Sequence, residues 1–133
     1  MIMGGLLRLA AVSTAVLVLA SCSSSQDDEV ATTASAFFAA VEHADGDAAC
    51  GYLMPTTRQE LEESSGKPCA TELLVELPEG GGAQEISAFG TMAQVRTDGD
   101  TVFLHRFQGH WRVLAAGCQK ASTGTYDCKV RGS

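Results

Sequence analysis

Asparagine is absent from this chain of 133 residues, and lysine, isoleucine and tryptophan are scarce, with three, two and one. Alanine and glycine abound instead, as in proteins encoded by GC-rich bacterial genomes. Positive charge is thin: nine Lys and Arg stand against sixteen Asp and Glu, a net charge of −7. That balance excludes the basic footprint a nucleic-acid binder needs and disfavours contact with anionic lipid headgroups. No uninterrupted apolar run reaches the about 20 residues of a membrane-spanning helix. No G-x-S-x-G and no H-E-x-x-H occurs. Gly80-Gly81-Gly82 follows no strand and precedes no Lys-Ser/Thr, so it reads as a loop and not as a phosphate cradle. No cofactor site is legible.

What is present begins with an export signal. Residues 1–8 hold one positive charge, Arg8, and residues 9–19 are rich in Ala, Val and Leu with no charge. That is the length of a signal-peptide apolar region. It ends in Leu19-Ala20-Ser21-Cys22, which resembles the bacterial lipobox, where a leucine and two small residues precede a cysteine. Small residues admit a peptidase to the scissile bond, and a thiol accepts a diacylglycerol as a thioether. The resemblance implies cleavage before Cys22 and acylation of the new amine, with palmitate as a typical chain. One acyl chain binds a membrane only marginally, at about 0.8 kcal/mol per buried CH₂, so a lasting anchor takes more than one. The expected partner is therefore a membrane through Cys22, on its extracytoplasmic face.

Residues 23–30, "SSSQDDEV", lack apolar periodicity and read as a short solvated tether. This divides the chain into a signal peptide at 1–21, a lipidated cysteine and tether at 22–30, and one domain at 31–133. Four further cysteines remain, Cys50, Cys69, Cys118 and Cys128. In an exported chain an even count reads as disulfides, and four cysteines allow three pairings. Spacing favours Cys50 with Cys69 and Cys118 with Cys128, because each pair brackets a turn. Zinc would want C-x-x-C spacing or nearby histidines, and neither is present, so no metal site is expected.

Helices come first. In residues 31–44, Ala34, Phe37, Phe38 and Val41 recur at helical spacing. Gly46 is placed to take a left-handed conformation after that helix, and Asp47 to cap a short one at 48–53 that stops before Pro55. Thr57 and Glu60 form a capping-box pair opening a helix to about residue 64, ended by Gly66 and Pro68. Residues 69–77 read as a fourth helix. Strands follow at 85–89, 91–97, 101–108, 111–116 and 126–130, with Asp98-Gly99 a hairpin signal and Gly109 the next turn. Strand alternation puts Ala93, Val95, Val102, Leu104, Arg106, Trp111 and Val113 on one face, expected against the helices. Met92, Gln94, Arg96, Phe103, His105, Phe107, Arg112 and Leu114 take the other, with Phe103 and Phe107 as a candidate partner or dimer patch.

Helices followed by an antiparallel sheet define an α+β fold. "FFAAVEHADGDAACGYLMPTTRQEL" and "GDTVFLHRFQGHWRV" are similar to segments of nuclear transport factor 2-like domains, also called SnoaL-like or cystatin-like cones. The resemblance implies helices packed on a sheet curled into a cone, in a small bacterial lipoprotein. Trp111 would sit in the core, and Arg106 near a cone end would line a pocket with it. It implies a non-catalytic module that holds a small apolar ligand or a protein partner. The alternative is a small-molecule isomerase or cyclase drawing on His43, His105, His110, Asp45, Asp47 and Tyr52. Asp45 and Asp47 are better explained as turn and cap residues, and His43 as a favourable charge at a helix C-terminus, so the chain reads as not an enzyme.

Overall fold

The structure, a computed structural model, describes residues 22–133 apart from 78, 80 and 84. The signal-like run and the lipobox residues before Cys22 lie outside the described residues. Four helices precede five strands: α1 (Cys22–Glu42), α2 (Gly46–Gly51), α3 (Pro55–Ser65), α4 (Cys69–Glu76), β1 (Glu85–Phe89), β2 (Met92–Arg96), β3 (Thr101–Phe107), β4 (His110–Lys120) and β5 (Tyr126–Arg131). No described helix is long and apolar enough to cross a membrane.

The first helix begins earlier than its periodicity suggests. Residues 22–30, expected as a solvated tether, continue α1. Tertiary contacts account for this: Val30 is buried in the core, the Glu29 carboxylate pairs with Arg106 at 2.9 Å, and the Gln26 side-chain amide donates to the Gly90 carbonyl oxygen at 3.3 Å. Ala34, Phe37, Phe38 and Val41 are buried along the same helix.

The junction after α1 differs from expectation. Ala44, with φ 55°, takes the left-handed conformation that Gly46 was expected to supply. Gly46 instead opens α2, where a Cβ would overlap the Ala70 carbonyl oxygen, so glycine is needed for the close approach of α2 and α4. The cap is Asp45 and not Asp47: the Ala48 N–H donates to Asp45 Oδ1 at 3.1 Å. Thr57 is likewise no cap. Pro55, with its preset φ and no N–H to lose, starts α3. Thr57 is buried, and its hydroxyl donates to the Leu114 carbonyl oxygen at 2.8 Å. Gly66, with φ 70°, ends α3 as expected.

The sheet is an antiparallel meander in chain order, β1-β2-β3-β4-β5. Val95 pairs with Val102 and Ala93 with Leu104, the register a two-residue turn at Asp98-Gly99 demands. Gln108 (φ 51°) and Gly109 (φ 80°) form the β3–β4 turn; positive φ at both positions suits the twist of the flanking strands. Ala93, Val95, Val102, Leu104, Trp111 and Val113 are all buried, and Trp111 retains 4% exposure, so this face packs on the helices as its alternation predicts. Beyond Leu104 and Val113 the register slips twice, and Gly117 sits at φ 64°. Around that irregularity β5 changes sides. Tyr126 lies edge-on to Phe103 at 4.9 Å on the outer face, whereas Val130 joins the core.

The expectation of a cone is corrected here. Each strand pairs only with its sequence neighbours, and the sheet stays open and uncurled. β1 and β2 have five residues each, too short to wrap round a hollow, and the helices fill the face they cover. The nuclear transport factor 2-like resemblance therefore does not hold for the fold; α+β with N-terminal helices does. Before the residues of β4 that pair with β5, its first half is met by the α2–α3 connection. The Met54 N–H donates to the Val113 carbonyl oxygen and the Val113 N–H to the Tyr52 carbonyl oxygen, both at 2.8 Å.

The cysteines pair as Cys50–Cys69, joining α2 to α4, and Cys118–Cys128, joining β4 to β5. These are the pairs their spacing favours.

Candidate functional site

Helix α1 lies along the sheet, and its two ends meet different surroundings. Its first turns reach the β1–β2 turn and Arg106 on β3. Its last turns, with Phe37, Phe38 and Val41, reach the opposite end of the sheet. A cleft of about 290 Å³ opens there. Its floor is apolar and continuous with the core, formed by Phe37, Phe38, Val41, Leu77, Val102 and Ala116. Its mouth is made by the glycine-rich loop at Gly81-Gly82 and by the Asp98-Gly99 turn.

Local chemistry builds each wall. The Asp98-Gly99 turn is closed by the Thr97 N–H donating to the Asp100 carbonyl oxygen at 2.9 Å. The Thr97 hydroxyl also bonds that carbonyl, at 3.0 Å, and accepts from the Asp100 N–H at 3.1 Å. Across the cleft, Gly117 is needed because a Cβ there would press on the Leu77 side chain. Glu79 and Asp100 bring carboxylates to the rim beside Asp98, and among the described residues of the lining there is no Lys, Arg or His. An apolar floor under an anionic rim suits a compact ligand with an apolar body and a neutral or cationic head. The apolar stripe of α1, the glycine loop and the Asp-Gly turn are each legible in the sequence, whereas Gly117 lies beyond the expected end of its strand. Sequence reading had no means to bring residues 37–41, 79–82 and 97–102 together.

The residues singled out in the sequence are dispersed. Trp111 is core, and the Arg106 guanidinium stands 5.6 Å from its ring centroid while pairing with Glu29. With no cone there is no cone interior for Arg106 and Trp111 to share; Trp111 instead borders an open depression with Glu29, Tyr52 and His110. The Trp111 indole N–H is buried with no partner among the described residues. Phe103 is half-buried against Tyr126, whose hydroxyl accepts from the Gln94 amide at 3.2 Å. Phe107 is half-buried in a separate shallow depression with Pro55, His110 and Arg112. The two phenylalanines are held by different neighbours. Among the described residues, the large apolar side chains that do stand in solvent are Phe89, 63% exposed, and Val75, 62% exposed. Alternation in β1 carries the signal for Phe89, because Ile86 and Ala88 turn inward.

The ionisable candidates also stand apart. Asp45 is engaged in capping α2, and the His43 ring meets the Ala39 carbonyl oxygen of its own helix at 2.7 Å. His105 and Arg112 are cross-strand neighbours, and Arg112 donates to the Gly51 carbonyl oxygen. His110 lies in the β3–β4 turn region, at the end of the sheet opposite the cleft. Among the described residues, no group of three or more His, Cys, Asp or Glu side chains is placed to hold a metal ion.

Comparison of the chain with family models, with curated proteins and with solved structures finds no match.

Proposed function

We propose that this chain is a lipid-anchored, extracytoplasmic binding module without catalytic activity, and that it takes a small apolar ligand in the cleft at the far end of α1. The observation that carries the reading is the disposition of one helix: it includes Cys22, the residue that resembles a lipidation site, and its Phe37, Phe38 and Val41 floor the cleft. On this reading the membrane and the ligand take opposite ends of α1. Two disulfides support an oxidising compartment. The lack of a cationic group among the described residues of the cleft lining favours neutral or positively charged heads.

The experiment has two readings on one preparation. Protein extracted from bacterial membranes should carry an acylated N-terminal peptide beginning at Cys22, and Cys22→Ser should remove it from the membrane fraction. A mature N-terminus elsewhere, without lipid, would refute the anchor. Titration with dodecyltrimethylammonium, followed by amide chemical shifts, should move residues 79–82 and 97–102. Dodecyl sulfate should bind at least about tenfold more weakly at low salt, with the gap narrowing as ionic strength rises. Shifts confined to other surfaces would refute the cleft as the binding site.

A further inference from the structure

Phe89 is the last residue of β1 and stands in solvent at the turn to β2. That turn is fixed to the start of α1. The Gln26 amide donates to the Gly90 carbonyl oxygen at 3.3 Å, and the neighbouring Thr91 carbonyl accepts from the Arg106 N–H at 2.8 Å. Arg106 in turn holds Glu29 of α1 at 2.9 Å. Cys22 lies on α1 about 6 Å, one helical turn, before Gln26. An exposed aromatic side chain is thus clamped beside the residue that resembles a lipidation site.

We propose that the β1–β2 turn is a membrane-contacting tip, with Phe89 seated in the lipid at the boundary of headgroups and acyl chains. This rests on the lipid-anchor reading given above. An exposed phenylalanine standing alone needs no explanation. This one is held near the attachment point by bonds from α1, so anchoring brings it to the bilayer surface, where an apolar ring gains by leaving water. Charge favours no anionic partner at this end. Asp27, Asp28 and Glu29 lie on the same first turns of α1, and the chain carries −7 overall. The contact is therefore apolar and suits a zwitterionic surface. It also gives the domain an orientation that a flexible acyl attachment alone would not, with the cleft directed away from the membrane.

The test uses the full chain, expressed from Met1 in a bacterial host, extracted from membranes and reconstituted into phosphatidylcholine vesicles brominated high on the acyl chains. Phe89→Trp and, separately, Val75→Trp each add an indole to the buried Trp111; both sites are exposed and tolerate the ring. Brominated lipid should quench about half or more of the emission added by Phe89→Trp and leave that added by Val75→Trp unchanged. The N-terminal peptide mass is measured on the same sample. An unacylated N-terminus would overturn the anchor and this inference with it. An acylated chain whose Phe89→Trp emission is unquenched, or quenched no more than that of Val75→Trp, would overturn this inference alone.

Discussion

In the helical layer, α2, α3 and α4 have six, eleven and eight residues, below the about 12–15 at which an isolated helix becomes even marginal in water. In the sheet, β2, β3 and β4 follow one another through short turns, the second of them with positive φ at both Gln108 and Gly109. The helices depend on docking; the central strands are specified by their neighbours in sequence. The disulfides repeat the contrast. Cys50–Cys69 ties together two short helices that share no backbone ladder. Cys118–Cys128 ties two strands already paired on either side of it, at Ala116 with Val130 and at Lys120 with Tyr126. A covalent link contributes most where little else connects the segments it joins.

The sharpest test of that contrast is to remove each bridge in turn. The Cys50→Ala/Cys69→Ala pair should lose about 3 kcal/mol of stability or more, from unfolded-chain entropy and from voids at two buried positions. The Cys118→Ala/Cys128→Ala pair should lose less, about 2 kcal/mol, because its loop is shorter and the ladder persists. Urea unfolding of both variants in oxidising buffer measures the difference. A larger loss from the sheet bridge would break the comparison.

Within the helical layer, the docking of α2 on α4 can be probed without touching a cysteine. Gly46→Ala should cost about 1–3 kcal/mol, since the added methyl meets the Ala70 carbonyl and the helices must separate. Gly51→Ala, five residues along the same helix and in open space, should instead be neutral or gain up to about 1 kcal/mol through the unfolded chain. Thermal unfolding separates these outcomes by sign. Equal effects at the two sites would mean that close packing of α2 on α4 does not govern this layer.

The smallest expected effect lies where the two regions are sewn together. The Leu114 carbonyl accepts from the Thr57 hydroxyl at 2.8 Å and from the Gly132 N–H at 3.0 Å. Thr57→Val keeps the shape and removes one of these bonds, for a loss of about 1 kcal/mol. Hydrogen exchange at Gly132 should rise little, because its own bond remains. A loss of protection throughout β5 would show that Thr57 carries the seam between helices and sheet.

How far the chain could be read without coordinates differs between these same regions. The order of the strands, the Val95–Val102 register and the buried face of the central strands were legible from alternation, whereas β4, expected to end at residue 116, runs on to Lys120. The helix junctions were less so. Gly46, Asp47 and Thr57 carry residue types suited to turns and caps, yet Gly46 serves helix–helix approach and Thr57 serves α3 against β4. Local propensity names what a residue can do, and a neighbour distant in sequence decides which use prevails. The tether expectation failed for that reason: residues 22–30 have no apolar periodicity, but the single apolar residue Val30, with Gln26 and Glu29, finds partners on the sheet.

Composition and spacing by themselves determined the acidic charge, the α+β order of elements, the favoured cysteine pairs and which side of the central strands turns inward. Each follows from interactions between residues close in the chain or from simple counting. Only the tertiary structure decided that the sheet stays open instead of curling. The motifs resembling a cone describe a helix, a connection and a hairpin, and closure depends on strand length and on how the helical layer fills the face it covers. The cleft has the same origin. Its walls come from α1, from the loop after α4 and from the β2–β3 turn, and hydrophobic burial is non-directional, so no pattern within any one of them says which of the others it will meet.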